Sequence, residues 1–162
     1  MLNLNNITKR YGEKVIFKNM NIQFDNTNEI NGIIGKSGCG KTTFLKALIY
    51  QYSNQTLSID EQVITDENKE DYLLNYVSYI DQFGTFFENM KIREHFEFIS
   101  QLKNQGFDQD KMLEVLHLVG LDNIDLSYFP SSLSIGQRKR FLIALAMYKD
   151  ASIVIIDEPT AS

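Results

Sequence analysis

One stretch constrains this chain more than any other: Gly35-Lys36-Ser37-Gly38-Cys39-Gly40-Lys41-Thr42. It satisfies the pattern G-x-x-x-x-G-K-[ST] at every fixed position. Glycines let a backbone curl until its N–H groups point inward at an anion. Lys41 stands where an ammonium reaches β- and γ-phosphates, and Thr42 where a hydroxyl ligates Mg²⁺. A helix beginning here adds the positive end of its dipole. The flanks agree. Ile30, Ile33 and Ile34 predict a short apolar strand before the loop, and Phe44, Leu45, Leu48 and Ile49 predict a helix after it, to about Gln51. From average composition the bare pattern arises by chance in roughly one chain in 200 of this size. With these flanks the loop reads as nucleotide-binding rather than as a glycine-rich turn.

Length bounds the architecture: 162 residues make one domain, or a core with one insertion. A hydrophobic share of 43% and a charged share of 23% are those of an ordinary globular protein. The net charge of −5 supplies no basic field, so nucleic acid is not an expected partner. The apolar runs span a few residues, as in Phe141 to Met147, against the about 20 of a membrane helix. Met1-Leu2-Asn3-Leu4-Asn5 lacks the charged and apolar regions of a signal peptide, so the expected location is cytoplasmic. Cys39 is the only cysteine, which excludes an internal disulfide. His95 and His117 fall in amphipathic helical stretches and read as surface or half-buried packing, and no cysteine–histidine set has metal-ligand spacing.

In chain order, Leu2 and Leu4 alternate with asparagines as in a half-buried strand. Tyr11-Gly12 reads as a turn, and Met20, Ile22 and Phe24 give a second strand. Asp25 to Glu29 is a polar connector, and Leu57, Ile59, Val63 and Ile64 suggest short strands. Tyr76 to Ile80 is β-rich and ends at Asp81-Gln82. From Phe86 to about Met147 the pattern is mostly helical. Ile92, Phe96, Ile99 and Leu102 share one face. Asp108 is an expected N-cap, Met112, Leu113, Leu116 and Val119 an apolar stripe, and Gly120 a stop. After Phe129-Pro130, Ser134 is placed to cap a helix from Ile135 to about Lys149. Ile153 to Ile156 is apolar on both faces, as in a central parallel strand.

Two further motifs carry chemistry. Strands of an open α/β sheet deliver their C-terminal ends to the ligand crevice. There Asp157 can hold Mg²⁺ through water, and Glu158 can polarise a water for attack on a γ-phosphate. Alone, the pair would be a strand followed by an acidic turn; beside a phosphate loop it reads as functional. Leu133-Ser134-Ile135-Gly136-Gln137 offers a hydroxyl and free N–H groups at a helix start, where a mere capping motif would look the same. Arg138-Lys139-Arg140 reads as a solvated helix face.

Together these residues resemble the nucleotide-binding domain of ABC-type ATPases, chiefly the ATP-binding subunits of ABC transporters. Gly35–Thr42 is similar to the Walker A loop, Leu133–Gln137 to the family signature, and Ile153–Glu158 to the Walker B strand with its catalytic glutamate; Ile135 stands where glycine is usual. The resemblance implies an α/β fold: a P-loop NTPase (RecA-like) core with an N-terminal antiparallel β part and an inserted α-helical subdomain. The core would comprise residues 1–82 and 148–162, and the helical subdomain with the signature residues 83–147. It implies that Gly35, Lys36, Ser37, Gly38, Cys39, Gly40, Lys41, Thr42 and Thr43 bind ATP, with Tyr11 stacked on adenine. Glu158 and Gln82 would be catalytic. Thr42, Gln82 and Asp157 would serve Mg²⁺, Asp157 through water. Ser134, Gly136 and Gln137 would meet the ATP of the opposing subunit. Phe83 to Glu94 would form the groove for a membrane subunit, with Phe83, Phe86 and Phe87 as core, groove or both.

The implied cofactors are ATP and Mg²⁺. The implied partners are a second ABC ATPase domain and separate transmembrane permease subunits, with the chain peripheral on the inner face of the cell membrane. Export of peptide, lipid or drug is the expected transport, with two alternatives: a soluble ABC-type ATPase of translation or DNA repair, or a nucleotide-binding remnant without turnover. The family's domains run on past the Walker B strand, so an incomplete domain is expected, poorly soluble or only feebly hydrolytic alone. Cys39 reads as a small residue fitted between glycines rather than a regulatory thiol. Alkylating it is expected to block nucleotide binding, with ATP protecting; full binding after complete labelling would contradict that placement.

Overall fold

The computed structural model describes residues 1–25, 30–50, 52 and 56–158. The chain divides into two compact units, the first Met1–Tyr72 and the second beginning at Leu73.

In the first unit, β1 (Leu2–Tyr11) and β2 (Lys14–Phe24) form a long antiparallel hairpin. β3 (Thr56–Ile59) pairs antiparallel with β1, and β4 (Gln62–Ile64) with β3, giving the order β2-β1-β3-β4. Leu2 and Leu4 are buried as the alternation predicts, but the next buried residue is Ile7, one place out of period. A register shift between Leu4 and Ile7 absorbs the extra residue. Asn6 takes φ 57° there, and its N–H is satisfied by the Asn21 side chain at 2.8 Å. Asn19 repeats the device at φ 49°, donating its N–H to Thr8 Oγ1 at 3.0 Å. Asparagine tolerates left-handed backbone better than most residues. α1 (Lys41–Leu48) buries Phe44, Leu45, Ala47 and Leu48, and Tyr72 donates its hydroxyl to the Leu48 carbonyl at 2.8 Å. Burial raises the Tyr72 pKa above its ordinary value.

The expected strand at Ile30–Ile34 is absent. These residues have no strand assignment, and Ile30 and Ile34 are almost fully exposed. A strand exists only where a neighbour completes its ladder, and no described strand pairs with this one. α1 also stops three residues short of Gln51. A helix the apolar pattern does not announce, α2 (Lys69–Asn75), begins behind Asn68, whose side chain accepts from the Thr65 N–H at 2.7 Å. The expected polar connector lies mostly at 26–29, outside the described residues, and so do Gln51, the expected end of the helix, and residues 159–162.

In the second unit, β5 (Val77–Ile80) and β6 (Ile153–Ile156) form a parallel pair. Among the described residues β6 pairs with β5 alone, and Val154 is 45% exposed. Between them lie α3 (Ile92–Leu102), α4 (Gln109–Leu118), a 3₁₀ turn at Pro130–Ser132, and α5 (Ile135–Tyr148). Their core holds Ile92, Phe96, Met112, Leu116, Phe141 and Tyr148. Leu102 and Leu113, expected on the apolar stripes, are exposed, whereas Val115 and His95 are buried. A helix face is about 100° wide or more, so its outer members fall to solvent. His95 is thus a core residue rather than a surface one. Its Nδ1 bonds to the Lys91 carbonyl at 2.8 Å, and burial lowers its pKa. Asp108 caps α4 by accepting from Lys111 N at 2.9 Å, and Gly120 stops the chain's helical run at φ 67°. Lys149, the C-cap of α5, donates to the carbonyls of Leu73 and Val77 at 2.8 and 2.6 Å, tying that helix end to the start of β5.

The Tyr148 hydroxyl joins three helices. It bonds to Ser100 Oγ of α3 at 2.8 Å and accepts from the Asp108 N–H at 2.9 Å. Tyr148→Phe strands the Asp108 N–H and leaves Ser100 Oγ with the Phe96 carbonyl alone, and unfolding in urea should show a loss of about 1–3 kcal/mol.

Candidate functional site

In the first unit the loop between Gly35 and α1 is shaped by two close approaches. Gly40, the N-cap of α1, sits at φ 107°, and a Cβ there would stand 2.5 Å from Ile16 Cγ2 and 3.3 Å from Phe17 Cζ. The loop therefore rests directly on β2. A Cβ on Gly35 would stand 2.6 Å from Cys39 Sγ, so the small residue and the thiol fit one another. Cys39 is exposed. The loop closes with Cys39 N–H on the Lys36 carbonyl at 3.2 Å, and α1 starts with Phe44 N–H on Gly40 at 2.8 Å.

Three lysines surround this turn. Lys41 Nζ donates to the carbonyls of Gly35 and Lys36 at 3.0 and 3.3 Å, Lys14 Nζ lies 3.5 Å from the Gly38 carbonyl, and Lys36 belongs to the loop itself. Among the described residues none of the three has a carboxylate partner. Nor does α1 carry an acidic residue in its first turn or a side-chain cap. α2, α3 and α4 all place Asp or Glu there, as a helix dipole favours. Among the described residues nothing compensates the positive end of α1.

Tyr11 closes the same hairpin, opposite Lys14. Thr43 first and Tyr52 next, as polar neighbours of its hydroxyl, and then the Lys9 and Lys46 ammoniums lower the phenol's pKa, against an opposing effect of burial. Lys9 Nζ lies 5.2 Å from the Tyr11 ring centroid and 4.0 Å from that of Tyr52. The Tyr11 ring remains more than half exposed, at 54%. Tyr11, Thr43 and the phosphate loop are thus gathered in one region of the first unit.

In the second unit the ends of β5 and β6 converge. Asp157 N–H donates to the Ile80 carbonyl at 2.9 Å, which extends the ladder and buries Asp157. Glu158 follows, exposed and at φ 51°. Gln82 Nε2 donates to Glu158 Oε2 at 2.9 Å, so the structure brings these two predicted residues together. Asp81 supports them in a role the sequence reading did not assign. Its Oδ1 accepts from the N–H groups of Phe83, Gly84 and Thr85 at 3.1, 2.6 and 3.2 Å, and Oδ2 from Thr85 Oγ1 at 2.5 Å. Burial alone would raise the Asp81 pKa, but these bonds, Thr85's first, hold it below its ordinary 3.8. Its hold on the turn is complete above that ordinary value and is lost as pH falls through the lower folded one. Tyr79 titrates above its usual range, chiefly through burial and then through the charges of Asp157 and Asp81. Phe83 is 86% exposed, not core, whereas Phe86 stacks on Phe141 at 5.6 Å.

The signature turn is a reciprocal cap. Ser134 Oγ accepts from Gln137 N–H at 3.3 Å, while Gln137 Oε1 accepts from Ser134 N–H at 2.9 Å. The Ser134 hydroxyl hydrogen and the Gln137 amide NH₂ are not used by the cap. A Cβ on Gly136 would meet nothing within 4 Å, and α5, like α1, has no acid in its first turn. Arg138 is not simply a solvated residue as expected. It folds back to donate from Nε to the Leu133 carbonyl at 3.0 Å and from Nη2 to the Ser131 carbonyl at 2.7 Å. Among the described residues no three of His, Cys, Asp and Glu group as a metal cluster. Of the residues expected to serve Mg²⁺, Thr42 lies in the first unit and offers a hydroxyl, while Gln82 and Asp157 lie in the second and offer an amide oxygen and a carboxylate. These hard oxygens fit Mg²⁺ completed by phosphates and water.

The two glycines should respond oppositely to alanine. Gly40→Ala meets Ile16 with a left-handed backbone and should lose about 1–3 kcal/mol of unfolding free energy. Gly136→Ala, in open space inside a helix, should gain about 0.5–1 kcal/mol; urea titration of both variants checks the signs.

A family model described as ABC transporter matches residues 17–161. The chain is 31% identical to the xylose import ATP-binding protein of Histophilus somni (strain 129Pt), over 100% of this chain and 34% of that protein. It is 32% identical to the spermidine/putrescine import ATP-binding protein of Pasteurella multocida (strain Pm70), over 98% of this chain and 42% of the relative. It therefore spans less than half the length of these relatives. Among solved structures, a dimeric ATP-binding cassette in a post-hydrolysis state, bound to ADP and Pi, superposes with a TM-score of 0.84 at 25% identity, covering 99% of this chain and 75% of the other. With a matching family model over most of its length and this fold, the chain belongs to the ABC transporter family.

Proposed function

We propose that this chain binds ATP with Mg²⁺ and hydrolyses it as the ATP-binding part of an ABC transporter. The observation that carries the reading is the loop 35–42. Among the described residues its lysines have no carboxylate partner, and it opens onto a helix with no acid in its first turn and no side-chain cap. An anion is what such a site accommodates best. On binding, the Lys41 ammonium exchanges the carbonyls of Gly35 and Lys36 for β- and γ-phosphate oxygens. Thr42, Gln82 and Asp157 are the residues that would hold Mg²⁺, which neutralises phosphate charge. Tyr11 offers its exposed ring to adenine.

Glu158 is the proposed base, orienting the attacking water with the carboxylate that Gln82 now holds. Ser134, Gly136 and Gln137 are proposed to close on the nucleotide of a second cassette. The Ser134 hydroxyl hydrogen and the bare Gly136 support this, because the cap itself leaves them unused. The solved dimer to which the chain is similar supports a cassette pair as partner, and the names of the relatives support a transporter. Those relatives are import proteins, which favours uptake over the export expected from the sequence. No described helix is long and apolar enough to cross a membrane. The proposed permease is a separate partner, which the relatives' names as ATP-binding proteins support, docked on the exposed Phe83 and Phe87, with the cassette on the cytoplasmic face. A second reading, binding without steady turnover, draws on the exposed and unpaired Ile30–Ile34 segment.

Calorimetric ATP titration beside a phosphate-release assay separates the two. Lys41→Ala should weaken ATP binding about 10- to 100-fold. Glu158→Gln should keep binding and lower phosphate release about 100-fold or more. Binding with no release by the unsubstituted chain would select the second reading, and no ATP binding at all would refute both.

A further inference from the structure

We propose that Lys14 is a further phosphate ligand of this site, its ammonium leaving the Gly38 carbonyl for an oxygen of the bound nucleoside triphosphate. The inference rests on the reading of residues 35–43 as the nucleotide site.

The hairpin of β1 and β2 turns through Gly12 and Glu13 and sets Lys14 opposite Tyr11. One hairpin end thus carries both an aromatic ring and an ammonium to the loop. Their place is fixed by packing two residues on. Ile16 and Phe17 lie against Gly40, and the Phe17 ring meets Phe44 of α1 edge to face at 6.3 Å. From this seat Lys14 Nζ reaches the middle of the loop, 3.5 Å from the Gly38 carbonyl. Lys41 takes the carbonyls at the loop's start instead. Two ammoniums therefore address the turn at different points.

A donor–acceptor distance of 3.5 Å is the outer limit of a hydrogen bond. The acceptor is a neutral carbonyl, and no carboxylate pairs with Lys14 among the described residues. Little is lost on leaving it. A phosphate oxygen offers a charge-assisted bond roughly twice as strong as a neutral one, and the flexible four-carbon stem of lysine lets the ammonium swing to it. A lysine that only braced the loop would instead show itself in the stability of the ligand-free chain.

Displacement of a fluorescent ATP analogue by ATP, inorganic tripolyphosphate and AMP tests this on the full chain and on Lys14→Met, Lys14→Arg and Lys41→Ala. Lys14→Met should weaken ATP and tripolyphosphate about 5- to 20-fold, leave AMP within about twofold, and leave the ligand-free melting midpoint unchanged. Lys14→Arg, which keeps the charge, should recover most of the loss. The proposal is overturned if Lys14→Met binds ATP as the parent does while Lys41→Ala is weakened. It is equally overturned if the loss is the same for all three ligands and comes with a lower melting midpoint. Should the parent fail to bind the analogue, or Lys41→Ala bind it unchanged, the reading of the loop itself fails, a result distinct from the failure of Lys14 alone.

Discussion

The contact on which the first unit depends is the one between Gly40 and β2. A left-handed residue with no side chain lets the loop lie on Ile16 and Phe17 at a distance no Cβ would permit. Phe44, one turn into α1, then packs on Phe17 and Phe24. β2 is in turn held by β1, and β1 by β3. The phosphate loop is thus supported from the antiparallel sheet. The segment that enters it, Ile30–Ile34, contributes no ladder. The shape of the site is set by the hairpin as much as by the helix that follows.

Charge placement follows a second rule. The chain is acidic overall, with a net charge of −5, yet the carboxylates stay away from two helix starts. α2, α3 and α4 have acids in their first turns; α1 and α5 do not. At α5 the local chemistry goes further, since the cationic Arg138 folds back to carbonyls beside the positive helix end. A fold selected for stability alone would place an acid there. Both departures fall on the two helices that begin at the 35–42 loop and at the Ser134 turn, the two places proposed to face phosphate.

Motif chemistry was legible in the sequence because it depends on fixed spacing along one chain. The loop, the Ser134 cap, the Asp108 cap and the Gly120 stop all stand where local residue types place them. What failed was whatever depends on a neighbour. Three isoleucines read as a strand, but a strand needs a second backbone, and none is described beside them. Leu113 and Val115 exchanged roles because periodicity marks the centre of an apolar face better than its margins. Lys14 and Asp81 were passed over because their partners, Gly38 and the 83–85 N–H groups, become visible only in three dimensions. Asp81 did have a local signal: an aspartate followed three residues later by glycine is a common turn signature.

Glu158 leaves its strand with a backbone torsion of 51°. Side-chain-bearing residues visit that region at a cost of order 1 kcal/mol or more, and glycine visits it almost freely. The acid therefore occupies a position where a glycine would make the folded chain sturdier. Drift toward greater robustness at this one residue would remove the carboxylate itself, so the conformation at the end of β6 sets durability against the chemistry proposed for Glu158.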